Sequence, residues 1–389
     1  MSGVLPFPVP GLSGRPPQPE TPPLLDLLGA CWRIDVPVVG VSWHGDVAGF
    51  GLGDGTLAMA RRSWPGAPAL APREGGGTQL HPATAPQPPL SRQKIHQGAI
   101  LSIATDHAGG FLTGGDDGSV RLTTVAGDSA MLAERAGCWM DLVATSAAGW
   151  RAWSSGKLVQ ISAPGAATHD LVLDAAATAM AFDAPGRRLA VAHYRGVTIW
   201  QAQAEPVVLR TKGCPRAVAW SPDGAYLICG LQENALHGWR VADAGAIEMG
   251  GYPGQPRSLA FTADGGLLAS SGGARVVCWR FDPPQAGSQP LECGLPSSRL
   301  PVCAVACHPT HPLVAAGYHN GSVLLCQPGR DDVLFAKGSS GGSVTALAWS
   351  PDGQSLAAAT QGGEIGVVNL PATLFRFGAG EPSSHKQAS

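Results

Sequence analysis

The sequence has few charged side chains. Asp, Glu, Lys and Arg together make up 14% of the 389 residues, and the formal net charge is -2. Because a nucleic-acid-binding surface is recognised by a basic excess, no nucleic acid is expected as a partner. Nowhere does the sequence hold the roughly eighteen consecutive apolar residues of a membrane-spanning helix. The first 20 residues contain six prolines and one basic residue, Arg15. We therefore expect no membrane association, no cleavable signal peptide and a cytoplasmic location.

Motifs that carry catalysis are missing as well. The sequence contains neither a Gly-x-Ser-x-Gly nucleophile elbow nor the glycine- and lysine-containing loop that binds phosphates, so it predicts no enzyme and no cofactor. Its nine cysteines are scattered through apolar segments, which is typical of reduced, buried thiols rather than of a disulfide framework. Only five of the 26 basic residues are Lys. Together with abundant Ala, Gly and Pro, this favours a GC-rich, bacterial genome.

What the sequence does contain is a repeat. The passage from Pro215 to Trp239 returns from Pro256 to Trp279, about forty residues later, which is the period of a propeller blade. Six further copies align with these two, so the chain has eight units. Successive units are 37 to 47 residues apart except for the first interval of 64. The aligned turn positions are Gly45, Gly109, Gly149, Gly186, Gly224, Gly265, Pro312 and Gly353.

Within each unit, short apolar runs end at Pro-Asp-Gly, Ala-Asp-Gly or Asp-Gly, the turn chemistry that reverses a β-strand. Helical periodicity is nowhere sustained. Units of this kind cannot bury their apolar faces alone but do so when packed into a ring. The sequence thus predicts an all-β propeller of eight blades, with seven as the alternative. We expect an N-terminal strand from Cys31 to Val38 to complete the last blade, so that no sheet edge stays open.

These units resemble the WD-repeat (WD40) family from about Cys31 to Leu370, in a divergent form. The second unit matches best, because His96, Thr113 and Asp117 stand where the family has the His, Ser/Thr and Asp of a structural hydrogen-bonded network. Thr123 replaces the tryptophan of that network. Other units keep a strand tryptophan (Trp200, Trp239, Trp279) but follow it with Gln201, Arg240 and Arg280 instead of Asp.

The repeat also divides the chain. Residues 1–23 are Pro-rich, and residues 378–389 form a polar tail; both are predicted to be extended or disordered. The propeller is expected to occupy residues 24–377. Its one long insertion, 61–90, has too few apolar residues for a core and is predicted to be a flexible loop. The alternative is a Pro-rich docking segment, since such a peptide loses little entropy on binding.

Cys303, Cys307, His308 and His311 form a candidate metal site, because thiolates and imidazoles suit zinc. Four residues along a strand separate Cys303 from Cys307 by about 13 Å, too far to share one ion. The corner formed by Cys307, His308 and His311 remains a candidate. However, His308 and His311 replace the Ser and Asp of the usual turn, so a turn substitution is favoured and no metal is predicted.

The resemblance places partners on the face where the loop before the first strand meets the loop between the second and third strands. Arg and aromatic residues gather there by alignment, and these types dominate interface hot spots. We expect a protein or peptide partner, acidic or phosphorylated, bound by a monomer within a larger complex. The alternatives are ordinary solvated loops, or a small-molecule or metal site at the channel mouth. The predicted partner-binding residues are Arg216, Arg257, Trp139, Trp153, Tyr194, Arg195, Tyr252, Arg275, Arg299, Tyr318 and His319.

Overall fold

A computed structural model describes residues 21–73, 77–163, 165–281, 289–295 and 299–372. These residues form eight four-stranded antiparallel sheets, one two-stranded hairpin and a single short helix, α1 (Leu24–Leu28). The predicted all-β propeller with eight blades is thereby confirmed, and the seven-bladed alternative is excluded. The first strands of neighbouring blades contact each other all round the ring, so they line the central channel.

Each blade follows the chain from its first, inner strand to its fourth, outer strand, except that the outer strand of the eighth blade is β1 (Gly29–Arg33). Blade one contains β2 (Val38–His44), β3 (Val47–Leu52), β4 (Thr56–Arg61) and β7 (Ser91–Lys94), and the hairpin between its last two strands is β5 (Ala69–Pro72) and β6 (Thr78–His81). Blade two contains β8 (Ile100–Asp106), β9 (Gly110–Gly115), β10 (Ser119–Thr123) and β11 (Ser129–Glu134). Blade three contains β12 (Leu142–Thr145), β13 (Arg151–Ser155), β14 (Leu158–Ser162) and β15 (His169–Val172).

The remaining blades repeat this order. Blade four contains β16 (Ala177–Phe182), β17 (Arg188–His193), β18 (Gly196–Gln201) and β19 (Val207–Arg210). Blade five contains β20 (Pro215–Trp220), β21 (Tyr226–Leu231), β22 (Leu236–Arg240) and β23 (Gly245–Met249). Blade six contains β24 (Leu259–Phe261), β25 (Leu267–Ser270), β26 (Val276–Arg280) and β27 (Leu291–Cys293). Blade seven contains β28 (Val302–Cys307), β29 (Val314–Tyr318), β30 (Val323–Cys326) and β31 (Val333–Lys337), and blade eight contains β32 (Val344–Trp349), β33 (Ser355–Thr360) and β34 (Glu364–Asn369).

The turn between first and second strands follows from its sequence. In blade five, the Ser221 hydroxyl accepts the backbone N–H of Tyr226 at 2.9 Å, and Asp223 accepts that of Ala225 at 2.9 Å. Gly224 adopts a φ of 67°, a left-handed conformation that favours glycine. Ser-Pro-Asp-Gly therefore reverses the chain with its polar groups satisfied locally.

The ring closes as predicted, but with different boundaries. β1 pairs antiparallel with β34, from Gly29 opposite Val368 to Arg33 opposite Glu364. The expected strand from Cys31 to Val38 is instead interrupted at Asp35, whose φ is 52°, and Val38 already begins β2. The interruption is needed because the chain must cross from the outer edge of blade eight to the inner edge of blade one.

Each seam between blades has its own hydrophobic cluster, eight in all around the described ring. Burying one large apolar side chain contributes about 1.5–3 kcal/mol. Tryptophans near the ends of first strands tie neighbouring blades together. Their indole N–H groups donate to a carbonyl in the preceding blade: Trp43 to Ala348 at 2.9 Å, Trp220 to Ala181 at 3.0 Å and Trp349 to Ala306 at 3.0 Å.

The insertion differs from the wholly irregular loop that was expected. It contains the hairpin β5–β6, and Leu70 packs against the cluster that includes Leu25 and Leu28. Gln87 then pairs with both backbone polar groups of Cys31 on the outer edge of β1. The insertion alone has too few apolar residues for a core, but the N-terminal segment supplies the apolar side chains against which it packs. Residues 1–20 and the predicted tail 378–389 lie outside the described residues.

Candidate functional site

The upper face is defined here as the face at which the first strand of each blade begins. On six of the eight first strands, a β-bulge interrupts the pairing after the first residue. A bulge redirects the extra side chain away from the ladder. The six bulges place one side chain per blade around the mouth of the channel. The extra residues are Val39, Leu101, Thr178, Arg216, Cys303 and Thr345.

Arg216 and Arg257 come from adjacent blades and line one depression of about 390 Å³ together with Gln232 and Gln255. The side-chain oxygen of Gln232 accepts from Nε and Nη2 of Arg216 at 3.2 and 2.8 Å. Gln255 accepts from Nε of Arg257 at 2.8 Å, and its own amide donates to the Gln232 carbonyl at 3.1 Å. The two guanidinium groups are thus held in place by one connected amide network.

Both arginines are exposed, and neither forms an ion pair with a carboxylate of the described residues. The carboxylate of Glu233, next to Gln232, accepts the backbone N–H of Cys214 at 2.9 Å. The site therefore carries two positive charges whose side-chain partners are neutral amides. Such guanidinium groups keep donors for an external oxyanion.

A second depression, of about 760 Å³, continues from the first because it shares Gln255 and Arg257. It extends across blades six to eight and includes Cys303, His319 and Thr345. Together the two depressions follow the mouth of the channel from blade five to blade eight. This length suits an extended segment rather than a single small ion.

Other predicted residues are exposed elsewhere in the loops. Trp139 is 65% exposed before the third blade, and Tyr194 is 59% exposed between β17 and β18. Arg195 follows Tyr194 in a left-handed conformation with φ 62°, and both Arg195 and Arg299 are exposed. His319 is exposed and borders the larger depression.

Three aromatic residues predicted to bind a partner are buried, so that assignment is corrected. Trp153 is 5% exposed and donates from Nε1 to Gln160 at 3.0 Å. Tyr252 and Tyr318 are 8% and 1% exposed, and both pack into seams between blades. Trp153 and Tyr318 lie on β13 and β29 rather than in the expected loops, and all three rings turn inward, where a large apolar surface gains most from burial.

Arg275 is also reassigned. Its guanidinium pairs with Asp331 of blade seven and lies 3.6 Å from Glu292 of its own blade. With a side chain only 20% exposed, it ties blades six and seven together. A charge that already has two carboxylates is poorly placed to attract a third.

The blade network implied by the family resemblance is present in blade two. Nδ1 of His96 lies 3.0 Å from Asp117, and Nε2 lies 2.9 Å from the Thr113 hydroxyl. Burial lowers the pKa of His96 despite the nearby carboxylate. The pKa of Asp117 lies well below its usual value because hydrogen bonds from His96, Gln97 and Ser119 outweigh its partial burial.

Two further networks escaped the sequence argument. In blade six, Tyr252 bonds to Ser270 and accepts from Nε1 of Trp279 at 2.6 Å. Tyr252 precedes Arg257 by five residues, as His96 precedes Leu101, and this offset could have identified it. At blade eight, Lys337 pairs with Glu364 at 2.8 Å in a buried site. The alignment was anchored on Asp117, whose equivalent is Gly362, so Glu364 was missed.

The candidate metal corner has structural contacts. Cys307 occupies the position of the seam tryptophans and donates to the Ala260 carbonyl at 3.3 Å. Burial raises its pKa to about 12. His308 is buried, and its Nδ1 accepts the backbone N–H groups of Thr310 and His311 at 3.1 and 3.0 Å. Among the described residues, no three His, Cys, Asp or Glu side chains are grouped to hold a metal ion.

Comparisons with known proteins agree with this architecture. Residues 87–123 match the model of the WD domain, G-beta repeat, and residues 305–374 match that of the anaphase-promoting complex subunit 4 WD40 domain. The computationally designed Ika8 protein superposes with a TM-score of 0.64 at 14% identity, over 89% of this chain and 99% of that one. No curated protein matches in sequence. Since 1682 chains of solved structures share the fold, it specifies no function by itself. No helix in the described part of the chain is long and apolar enough to cross a membrane.

Proposed function

Since this chain is a β-propeller of the WD40 family, a fold that generally mediates protein interactions, we propose that it is a non-catalytic scaffold. Its partner segment docks on the upper face, over Arg216 and Arg257. The segment is acidic or phosphorylated and lies along the mouth of the channel between blades five and eight.

One observation carries this proposal: two guanidinium groups from adjacent blades are held by neutral amides. Arg216 bonds to Gln232, Arg257 bonds to Gln255, and the two glutamines are linked. Holding the side chains in place reduces the entropy that a ligand must overcome. Charge-assisted hydrogen bonds from guanidinium to carboxylate or phosphate are stronger than neutral ones. A segment with negative charges spaced along it fits this arrangement.

The exposed aromatic residues extend the proposed surface. Trp139 and Tyr194 stand before the third blade and in the fourth blade, on the loops that open onto the upper face. Large rigid rings supply contact area at low entropic cost. We expect them to contact the part of the partner that lies beyond the arginine pair.

Partner recovery tests the proposal. The tagged protein and an Arg216→Ala/Arg257→Ala double variant are expressed in the native host, and copurifying proteins are quantified by mass spectrometry. The matched control is Arg240→Ala/Arg280→Ala, which removes the same charge from the last residues of β22 and β26, at the opposite face of the same two blades. We expect recovery to fall about tenfold or more in the first variant only. Equal recovery from all three proteins would rule out the proposed surface.

The remaining predictions concern assembly and location. We expect the purified chain to be a monomer that joins a larger complex through its upper face, and we expect that complex in the cytoplasm. Size-exclusion chromatography with light scattering measures the first property. Cell fractionation measures the second.

A further inference from the structure

A cluster of three thiols lies in the seam between blades six and seven, and none of the three lines the two depressions of the proposed docking surface. Cys278 and Cys293 belong to β26 and β27 of blade six, and Cys326 ends β30 of blade seven. All three are at most 1% exposed. The Sγ atoms of Cys293 and Cys326 are 3.1 Å apart, so two blades bring their sulfur atoms into direct contact.

Strand geometry favours one pair of these three cysteines for disulfide formation. In β26 and β27, Cys278 lies opposite Leu291 and Val276 lies opposite Cys293. Cys278 and Cys293 are therefore diagonal neighbours, a relation in which residues are about 7–8 Å apart. Disulfides usually need Cα atoms within about 4.4–6.8 Å. Cys293 and Cys326 belong to different sheets, so strand pairing does not hold their Cα atoms at the diagonal distance that disfavours a disulfide.

Hydrogen bonds and ion pairs connect the two backbone segments that carry Cys293 and Cys326. Gly329, three residues after Cys326, donates its N–H to the Glu292 carbonyl at 3.1 Å. Arg275 pairs with Asp331 of blade seven and with Glu292 of blade six. These contacts hold the ends of β27 and β30 side by side. The two sulfur atoms are thus kept together by bonds that do not involve them.

We propose that Cys293 and Cys326 form a disulfide across this seam when the protein meets hydrogen peroxide. The proposal does not rest on the docking surface. The bond would join two neighbouring blades covalently, at a seam where the described residues contribute packing, hydrogen bonds and the ion pairs of Arg275. The chain then carries a modification site that responds to oxidant.

The chemistry runs in two balanced steps. The Cys293 thiolate attacks peroxide, forming an S–O bond, breaking the O–O bond and releasing hydroxide, which takes the thiol proton to become water. The Cys326 sulfur then attacks the Cys293 sulfur; the S–S bond forms, the S–OH bond breaks, and the hydroxyl leaves as water with the Cys326 proton. Two thiols are oxidised by two electrons, and one peroxide is reduced to two waters.

Hydrogen bonding supports Cys293 as the attacking thiol. Cys278 and Cys326 both donate to its sulfur, which lowers the pKa of Cys293 by stabilising its thiolate. The same bonds, together with burial, raise the pKa of Cys278 and of Cys326. The sulfur atoms are buried, so peroxide reaches them when the seam opens locally.

Peptide mapping under non-reducing conditions tests the proposal. Trypsin places Cys293 on residues 281–299, Cys326 on 300–330 and Cys278 on 276–280. After peroxide treatment of the folded full chain and blocking of the remaining thiols, we expect peptides 281–299 and 300–330 to be linked with the loss of two hydrogens. Cys326→Ala should abolish this linkage. Cys229→Ala, a buried cysteine in another seam, should retain it.

Thermal unfolding gives a second measurement. We expect peroxide to raise the melting temperature of the wild type by about 2–5 °C, and dithiothreitol to reverse the shift. Cys326→Ala should show no rise, and its starting melting temperature shows whether it has folded. Recovery of peptide 281–299 unlinked after peroxide would overturn the proposal. Linkage of the two peptides in Cys326→Ala would do so too, because Cys303 or Cys307 would then be the partner.

Discussion

At the scale of single residues, equivalent positions in different blades carry different chemistry for the same task. His96 in blade two lies five residues before Leu101, Tyr252 in blade six lies five residues before the equivalent Arg257, and both side chains lie in buried hydrogen-bonded networks. The polar groups differ, but in each network these buried side chains have hydrogen-bond partners. Buried polar groups are tolerated only on that condition.

Replacing His96 should therefore destabilise the fold. His96→Ala removes one hydrogen-bond partner each of Asp117 and Thr113 while leaving both side chains in place. We expect a loss of about 2–4 kcal/mol in the free energy of unfolding, measured by urea denaturation. His107→Ala, at an exposed position nearby, should change it by less than about 0.5 kcal/mol. Equal losses would show that the network contributes nothing.

The same histidine predicts a pH dependence. Because burial lowers the pKa of His96 in the folded state, the unfolded chain binds a proton more readily, and stability rises with pH in this range. Lowering the pH from 7.5 to 5.5 should decrease the free energy of unfolding of the wild type more than that of His96→Ala. A parallel decrease in both proteins would contradict this assignment.

Some of these single-residue features could be predicted from the sequence. Alignment placed Arg216 and Arg257 at the channel mouth and found the blade-two network, because each follows from a repeated offset. It misplaced Trp153 and Tyr318, which lie on strands rather than in loops, and it did not show that the ring of Tyr252 turns inward, because an offset does not give the direction of a side chain. Arg275 was misjudged for a related reason: its carboxylate partners, Asp331 and Glu292, come from a different loop and a different strand.

At the scale of elements, the insertion and the N-terminal strand support each other. β1 is the outer strand of blade eight, and an outer strand has unpaired backbone groups. Gln87 satisfies both groups of Cys31, and Nε1 of Trp32 donates to the Pro88 carbonyl at 2.8 Å. The closing strand was predictable from the need to cover an edge. The hairpin was not, because its packing partner Leu25 is distant in sequence.

Gln87→Ala should loosen β1. Removing both side-chain bonds to Cys31 exposes that part of the edge, so we expect faster hydrogen exchange at the amides of β1 and a loss of about 0.5–1.5 kcal/mol in unfolding free energy. Gln79→Ala provides the matched control, since Gln79 is exposed on β6 of the hairpin. If both variants exchange alike, the insertion does not support β1.

At the scale of the whole molecule, the ring depends on one strand from the opposite end of the chain. Deleting residues 1–36 removes α1 and β1 and leaves β34 as an open edge. We expect a lower melting temperature and concentration-dependent association through that edge, measured by calorimetry and light scattering. A truncated monomer that melts like the full chain would show that closure is dispensable.

Arg216, on the bulge of β20, and Arg257, just before β24, lie in adjacent blades at the channel mouth, and the central claim is that together they select a negatively charged segment. Binding to arrays of neutral, acidic and phosphorylated peptides tests it most directly. We predict that wild type and Arg240→Ala/Arg280→Ala favour the charged peptides equally, that salt weakens the binding, and that Arg216→Ala/Arg257→Ala loses it. Binding that ignores peptide charge, or that survives in the Arg216/Arg257 variant, would contradict the claim.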